Sequence, residues 1–119
     1  MARKIPQIIK EAYAAFNARD IDRALSQMHA DILWPKAFEG GHVNGHAEIR
    51  KYWTRQWAEI NPNVQPVDCL EQEDGSLAIT VHQSVKDLDG NLVFEGQVRH
   101  IYTLQDGLLL KMDIETEEQ

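Results

Sequence analysis

Cysteine, basic residues and long apolar runs are all scarce in this sequence of 119 residues. Cys69 is the single cysteine, which excludes an internal disulfide and a thiolate cage around a metal ion. Lys and Arg number 12 against 19 Asp and Glu, and the resulting charge of −7 makes nucleic acid and anionic membranes poor partners. No run approaches the ~20 apolar residues that span a bilayer. Residues 1–6 lack the apolar segment of a signal peptide, so we expect a cytoplasmic protein.

The composition that remains is typical of one globular domain. Hydrophobic residues make up 43% of the chain and charged residues 26%, so a packed core can form. We therefore expect a single domain over residues 1–119. No glycine-rich loop follows a predicted strand, and we expect no nucleotide or other cofactor.

In the first half of the chain, apolar residues recur at spacings of three and four, the period of amphipathic helices. The first helix carries its stripe over residues 5–16. Asp20 is the expected N-cap of a short second helix, whose buried face includes Met28. A short strand at 32–34 and a glycine-rich loop at 39–45 precede a third helix, with an inward stripe of Ile49, Trp53, Trp57 and Ile60.

From residue 64 the period changes to two, which predicts antiparallel strands. Asp89-Gly90 is typical of a two-residue hairpin turn, and this register places Ile79 opposite His100. The returning strand presents one inward row, formed by Phe94, Gly96, Val98, His100, Tyr102 and Leu104.

The next turn contains Asp106-Gly107 and predicts a three-residue loop that pairs Leu104 with Leu108. Met112 then lies across from His100, and the inward row of the last strand is Leu108, Leu110, Met112 and Ile114. Three amphipathic helices are available to cover the apolar face of the sheet, so the fold class is α+β.

Four segments in this order resemble the nuclear transport factor 2-like superfamily, in particular its SnoaL-like polyketide cyclases and ketosteroid isomerases. They are 15–21 (AFNARDI), 29–34 (HADILW), 44–49 (NGHAEI) and 99–107 (RHIYTLQDG). The resemblance implies a cystatin-like α+β roll, in which a curved antiparallel sheet wraps around three N-terminal helices to form a cone with an apolar pocket. It also implies a homodimer formed through the outer face of the sheet.

The acid–base residues of the isomerases are not retained in this chain. Those enzymes use an aspartate base with a tyrosine and a protonated aspartic acid as oxyanion donors. By position, the base falls on Lys36, the tyrosine near Ala12 (one residue from Tyr13) and the aspartic acid on His100. The resemblance therefore implies the scaffold without that steroid chemistry.

Limonene epoxide hydrolases of the same superfamily supply an alternative, an Asp-Arg-Asp arrangement inside the cone. The late candidates here are Arg99 and Asp113, which the register turns outward, while Ile114 takes the inward position. A slip of one residue would reverse this assignment.

His100 is the most informative polar residue, because it interrupts an apolar inward row. It could donate a hydrogen bond to a developing oxyanion or act as a general base, with Tyr13 as helper. The alternative is a buried histidine satisfied by Tyr13, Tyr102 or water.

Large apolar side chains would form the walls of the pocket, although simple core filling is the alternative for each of them. We predict a ligand-binding set of Phe16, Trp34, Phe38, Trp53, Trp57, Val98, Tyr102, Met112 and Ile114.

The sequence predicts no metal site, because Gly45 and Asn44 break the helix that His42 and His46 would need to share. Three functions remain open. The first is an isomerase or cyclase acting on a hydrophobic carbonyl compound, with His100 as its acid–base group. The second is a non-catalytic binder of a small hydrophobic molecule, and the third is a dimerisation module with a filled cone.

Overall fold

The computed structural model describes residues 5–36 and 40–116. Its elements, in chain order, are α1 (Gln7–Asn17), α2 (Ile21–Leu25), β1 (Met28–Pro35), β2 (His42–Asn44), α3 (His46–Trp57), β3 (Ile60–Glu71), β4 (Leu77–Asp87), β5 (Leu92–Gln105) and β6 (Leu108–Thr116).

The six strands form one sheet in the order β2-β1-β6-β5-β4-β3. The predicted α+β fold, with a curved sheet around three helices, is confirmed. One pair departs from the expected antiparallel arrangement, since β1 and β6 run parallel. These two strands are far apart in sequence, so no hairpin turn forces them to be antiparallel.

The core lies between the helices and the inner face of the sheet. Helix α1 buries Ile9, Ala12 and Tyr13 at the predicted helical spacing. Its C-terminal end is tied to β3 by Asn17, whose amide donates to the carbonyl of Val64 (2.7 Å) and accepts from the Val64 N–H (2.9 Å). These bonds fix the position of α1 against the sheet.

Helix α2 begins as predicted, with the Asp20 carboxylate accepting a hydrogen bond from the N–H of Arg23 (3.2 Å). It ends earlier than predicted, at Leu25, and Met28 is the first residue of β1. Met28 would be buried either as the end of a longer α2 or as the start of β1, so the spacing of apolar residues alone did not distinguish these two interpretations.

Two further boundaries differ from the prediction. Ile60 belongs to β3 and not to the stripe of α3, and β3 runs through Pro62. Proline is tolerated there because β3 is an edge strand. Within the predicted glycine-rich loop, residues 42–44 form β2, which pairs with the end of β1.

The hairpin between β4 and β5 has the predicted Ile79–His100 pair. Its loop contains the four residues 88–91 instead of the predicted two, and the pairing of the strands shifts by one residue after Val85. The Asp87 carboxylate accepts from the N–H groups of Asp89 and Asn91 (2.9 Å each), which stabilises this longer turn.

The hairpin between β5 and β6 corrects the predicted register. Asp106 and Gly107 both have positive φ (55° and 78°), which suits a two-residue turn and brings Gln105 opposite Leu108. The predicted pairs Leu104–Leu108 and His100–Met112 are therefore wrong, since Leu104 pairs with Leu109, Tyr102 with Met112 and His100 with Ile114.

A register shift near the turn makes Leu109 the buried residue, whereas Leu108 and Leu110, which we predicted to face inward, are half-buried. Beyond the shift, the pairing differs from the prediction by two residues. An even shift preserves the face on which a side chain lies, so Met112 stays on the inner side as predicted.

Candidate functional site

A cavity lies between the helices and the inner face of the sheet. It contains about 660 Å³ of space free of atoms, counted to its open mouth. Only a small part of that space admits a whole water molecule, so the cavity is a narrow slot. It is lined by Ala12, Tyr13, Phe16, Met28, Trp34, Pro35, Tyr52, Trp53, Gln56, Pro62, Val64, Gln83, His100, Tyr102, Met112 and Ile114.

None of the described lining residues is Asp, Glu, Lys or Arg. The polar groups are three tyrosine hydroxyls, two glutamine amides, the indole N–H groups of Trp34 and Trp53, and the imidazole of His100. A ligand in this cavity would therefore meet hydrogen-bonding groups and no ion pairs.

At the closed end of the cavity, three side chains form one hydrogen-bonded chain. The Tyr102 hydroxyl donates to the Tyr13 hydroxyl (2.9 Å), and the Tyr13 hydroxyl lies 2.6 Å from Nδ1 of His100. Tyr102 and His100 are neighbours on the inner row of β5, and α1 brings Tyr13 across from them. All three residues are buried, with His100 7% exposed.

The direction of this chain determines where the imidazole carries its proton. Because the Tyr13 oxygen accepts from Tyr102, its own hydrogen is free to be donated to Nδ1 of His100. A neutral imidazole that accepts at Nδ1 carries its hydrogen on Nε2. With the chain in this direction His100 is a donor at Nε2, whereas the other tautomer, with Nδ1–H donating to the Tyr13 oxygen, has the same distance between the two heavy atoms.

Nε2 of His100 opens onto the cavity. It makes no hydrogen bond to any residue in the described part of the chain. Nε2 of His100 is also partly accessible to solvent. Nε1 of Trp57, in contrast, is fully buried and has no partner among the described residues.

Burial controls the protonation of all three groups. It lowers the pKa of His100 from 6.5 to about 4, so the imidazole is neutral at pH 7. It also raises the pKa of Tyr13 and Tyr102 above the usual value, so both hydroxyls keep their protons. The chain of three is uncharged at neutral pH.

Aromatic rings form one wall of the cavity. Trp53 meets Phe16 and Trp34 edge to face, with ring centroids 5.2 and 5.5 Å apart. Trp53 is 1% exposed, whereas Phe16 and Trp34 are half-buried. Edge-to-face packing fixes the orientation of the rings and so the shape of the slot.

Most of the predicted site residues line this cavity: Tyr13, Phe16, Trp34, Trp53, His100, Tyr102, Met112 and Ile114. Trp57 and Val98, which we predicted for the same set, do not. Trp57 is the last residue of α3, and the guanidinium of Arg19 lies 5.0 Å from the centre of the Trp57 ring. Val98 is a core residue that pairs with Val81. Phe38 lies outside the described residues.

The polar lining residues Tyr52, Gln56 and Gln83 were missing from the predicted set. A signal for two of them was present in the sequence. Gln83 belongs to the predicted inward row of its strand, and Gln56 follows Trp53 at a spacing of three on the same helix.

The residues of the epoxide-hydrolase alternative lie outside the cavity. Arg99 pairs with Glu115 (3.4 Å), and Asp113 lies 3.5 Å from His42 and 3.6 Å from Lys111. Their register keeps both on the outer side of the sheet, as predicted.

Residues 5–36 and 40–116 contain neither a metal-binding cluster nor a membrane-spanning helix. No group of three or more His, Cys, Asp or Glu side chains is placed to hold a metal ion. No helix is both long enough and apolar enough to cross a membrane.

Residues 9–112 match the SnoaL-like domain family. The chain belongs to this family. The predicted membership of the SnoaL-like branch of the nuclear transport factor 2-like superfamily is thus confirmed. The sequence has no significant match among the curated proteins.

Three solved structures illustrate the likeness. TerC, co-crystallised with polyporic acid, is 27% identical, with a TM-score of 0.80 over 93% of this chain and 89% of that one. A protein from Catenulispora acidiphila with a ketosteroid isomerase-like fold, in complex with trimethylamine, is 15% identical, with a TM-score of 0.82 over 96% and 88%. A candidate polyketide cyclase from Sinorhizobium meliloti is 17% identical, with a TM-score of 0.76 over 93% and 95%.

Proposed function

We propose that this protein binds a flat, carbonyl-bearing molecule in the cavity and acts on it as an isomerase or cyclase. In this proposal Nε2–H of His100 donates a hydrogen bond to the carbonyl oxygen. The observation that supports the proposal is the Tyr102–Tyr13–His100 chain. We propose that the Tyr13 hydroxyl donates to Nδ1, so that the imidazole hydrogen is on Nε2, which has no hydrogen-bond partner among the described residues. The similarity to TerC, co-crystallised with polyporic acid, supports an aromatic ligand.

A neutral imidazole is well suited to this role. With a pKa of about 4, His100 is a weak base, so its proposed function at pH 7 is that of a donor. A donor fixed in a dry site stabilises the negative charge that develops on a carbonyl oxygen during enolisation or carbon–carbon bond formation. Burial, which makes His100 a poor base, makes the same ring a strong hydrogen-bond donor.

The absence of a carboxylate among the described lining residues limits the reaction. A substrate whose own enol is the nucleophile needs no strong base from the protein. Its enol carbon forms a bond to the polarised carbonyl carbon, and the enol hydroxyl becomes a carbonyl. The new alkoxide oxygen, held by Nε2–H, takes up the proton that the enol loses. We therefore propose an aldol-type cyclisation, which is also an isomerisation because the molecule gains and loses no atoms.

Binding without chemistry is the second candidate, and the same absence of a carboxylate favours it. The two candidates share the cavity and the donor, and they differ only in whether the bound molecule changes.

The test is a titration with polyporic acid, followed by quenching of tryptophan fluorescence, since Trp34 and Trp53 line the cavity. We expect saturable binding that weakens by about tenfold in His100→Phe, which is what loss of one buried neutral hydrogen bond produces. The matched control is His82→Phe, which removes an exposed imidazole of the neighbouring strand and should leave the affinity unchanged.

Equal affinities for the wild type and His100→Phe would contradict the proposal. Mass and absorbance spectra of the recovered molecule then separate the two candidates. A product that forms with the wild type but not with His100→Phe indicates an enzyme, and an unchanged molecule indicates a binder.

Homodimerisation through the outer face of the sheet remains a proposal. Arg99 and His82 lie on that face, and their side chains are partly exposed in this protomer. Sedimentation equilibrium of the wild type and of Arg99→Glu tests it, with a dimer expected for the first and a weakened dimer for the second.

A further inference from the structure

The glutamine on the inner row of β4 has no role in the chemistry described above. Gln83 lies between Val81 (0% exposed) and Val85 (1% exposed) on the inner face of the sheet. It lines the cavity and is half-buried, which places its amide near the mouth. The neighbouring positions of this row are occupied by valine, so a polar side chain here indicates a role other than packing.

The Gln83 amide has no hydrogen-bond partner among residues 5–36 and 40–116, and protein atoms do not fully cover its polar atoms. The second glutamine of the cavity differs, since the Gln56 amide donates to the Tyr52 hydroxyl (3.0 Å). The cross-strand neighbours of Gln83 are Gly96 on β5 and Val64 on β3, and neither has a polar side chain.

The position of Gln83 relative to His100 follows from the register. Ile79 pairs with His100 and Gln83 pairs with Gly96, so the two polar residues stand four residues apart along the hairpin. At 3.3 Å per residue, this separation is about 13 Å along the strands. His100 is buried and Gln83 is half-buried, so Gln83 is the more accessible of the two from solvent.

We propose that Gln83 is a specificity-determining residue, whose amide binds a second polar group of the ligand at the end remote from His100. The inference rests on the proposed function, because it assumes a ligand whose carbonyl meets Nε2 of His100. It adds that the ligand is elongated and carries a hydroxyl or a second carbonyl at its outer end. A glutamine amide both donates and accepts, so it can hold either group.

The test compares two flat probes that differ by one hydroxyl. Flavone carries a ring carbonyl, and 4′-hydroxyflavone adds a hydroxyl at the opposite end. Both are titrated against the full-length wild-type protein and Gln83→Met, which keeps the length of the side chain and removes the amide. Gln97→Met is the matched control, since Gln97 lies on the exposed side of the next strand.

We expect 4′-hydroxyflavone to bind the wild type and Gln97→Met up to about tenfold more tightly than flavone. In Gln83→Met the two probes should bind equally, with the affinity for flavone unchanged. A readout that requires no variant is the side-chain amide resonance of Gln83 in the wild type. It should shift with 4′-hydroxyflavone and much less with flavone.

Two results would overturn the inference while leaving the proposed function intact. One is equal binding of the two probes to the wild type. The other is a preference that persists in Gln83→Met. If flavone binds the wild type and His100→Phe equally well, the donor role of His100 in the proposed function is wrong. The preference for 4′-hydroxyflavone over flavone then tests the role of Gln83 by itself. If neither probe binds, both proposals fail for molecules of this kind.

Discussion

Two histidines on one hairpin show how different the two faces of this sheet are. His100 lies on the inner face of β5, where it is 7% exposed and meets only tyrosine hydroxyls. His82 lies on the outer face of β4, where its Nε2 is 3.0 Å from a carboxylate oxygen of Glu95 and its side chain is 43% exposed. The same side chain is a neutral, oriented donor on one face and a solvated partner of an acid on the other.

The difference shows that the side of the strand on which a histidine lies determines its exposure to water, and that this exposure determines its chemistry. Inward positions lose water, and an unpaired buried charge is expensive, so the inner histidine stays neutral and takes hydroxyl partners. Outward positions keep water, so an ion pair there is cheap to form and contributes little. The following predictions, from the largest expected effect to the smallest, test this contrast.

The largest effect is expected for the aromatic cluster. Trp53→Ala removes a ring that is 1% exposed and should lower the free energy of unfolding by about 4 kcal/mol. Val93→Ala, at a residue of β5 that is 63% exposed, should cost less than about 1 kcal/mol. Urea unfolding of both variants measures the contrast, and equal losses would mean that the inner side is not the better packed one.

The second effect is a loss of stability in acid that depends on His100. Above pH 6.5 the ring is neutral in the folded and unfolded chains and contributes no pH dependence. Between pH 6.5 and about 4 the His100 imidazole is protonated in the unfolded chain but stays neutral in the folded chain, because burial has lowered the pKa of His100. The wild type should therefore lose on the order of 3 kcal/mol over this range.

Urea unfolding at several pH values measures this loss in the wild type, His100→Gln and His82→Gln. The groups packed against the His100 ring, Tyr13 and Tyr102, do not titrate in this range. His100→Gln should therefore flatten the profile, whereas His82→Gln should retain it. A wild-type profile that is flat above pH 4 would contradict the assigned burial.

Removal of the central hydroxyl should have an intermediate effect. Tyr13→Phe leaves Nδ1 of His100 and the Tyr102 hydroxyl without their partner, which should cost about 2 kcal/mol. Tyr102→Phe removes only the terminal donor and should cost about 1 kcal/mol. Thermal unfolding of the two variants checks the order, and a larger loss for Tyr102→Phe would contradict a central Tyr13.

The smallest effect is expected on the outer face. His82→Gln removes the exposed contact with Glu95 and should change the free energy of unfolding at pH 7 by less than about 0.5 kcal/mol. Urea unfolding of the variant and the wild type measures this change. A loss as large as that of Tyr13→Phe would remove the contrast between the faces.

The inner face was largely predictable from the sequence, because alternation needs no knowledge of tertiary contacts. The period of two on β4 and β5 placed His100 inward and opposite Ile79, and both features are present in the structure. The stripe of α1 likewise placed Tyr13 against the sheet. The long-range contact between Tyr13 and His100 then follows from the fold class.

The parts that were missed depend on local turn chemistry and on pairing across the sheet. The pairing of β5 with β6 was wrong by two residues. One residue comes from the shorter loop, in which Asp106 adopts a left-handed conformation, and the other comes from the register shift between Thr103 and Leu104. The strand β2 forms only by pairing with β1, so its three residues gave no pattern of their own. Gln83 was missed because only apolar side chains were expected in the wall of the pocket.

The central claim is that His100 is a neutral imidazole with its hydrogen on Nε2, held by Tyr13 and Tyr102. The most direct measurement is the ¹⁵N NMR spectrum of the histidine rings at pH 7 in the wild type and in Tyr13→Phe. The account predicts an unprotonated Nδ1 and a protonated Nε2 for His100 in the wild type, and a mixture of the two tautomers in the variant. A wild-type ring protonated at Nδ1, or at both nitrogens, would contradict it.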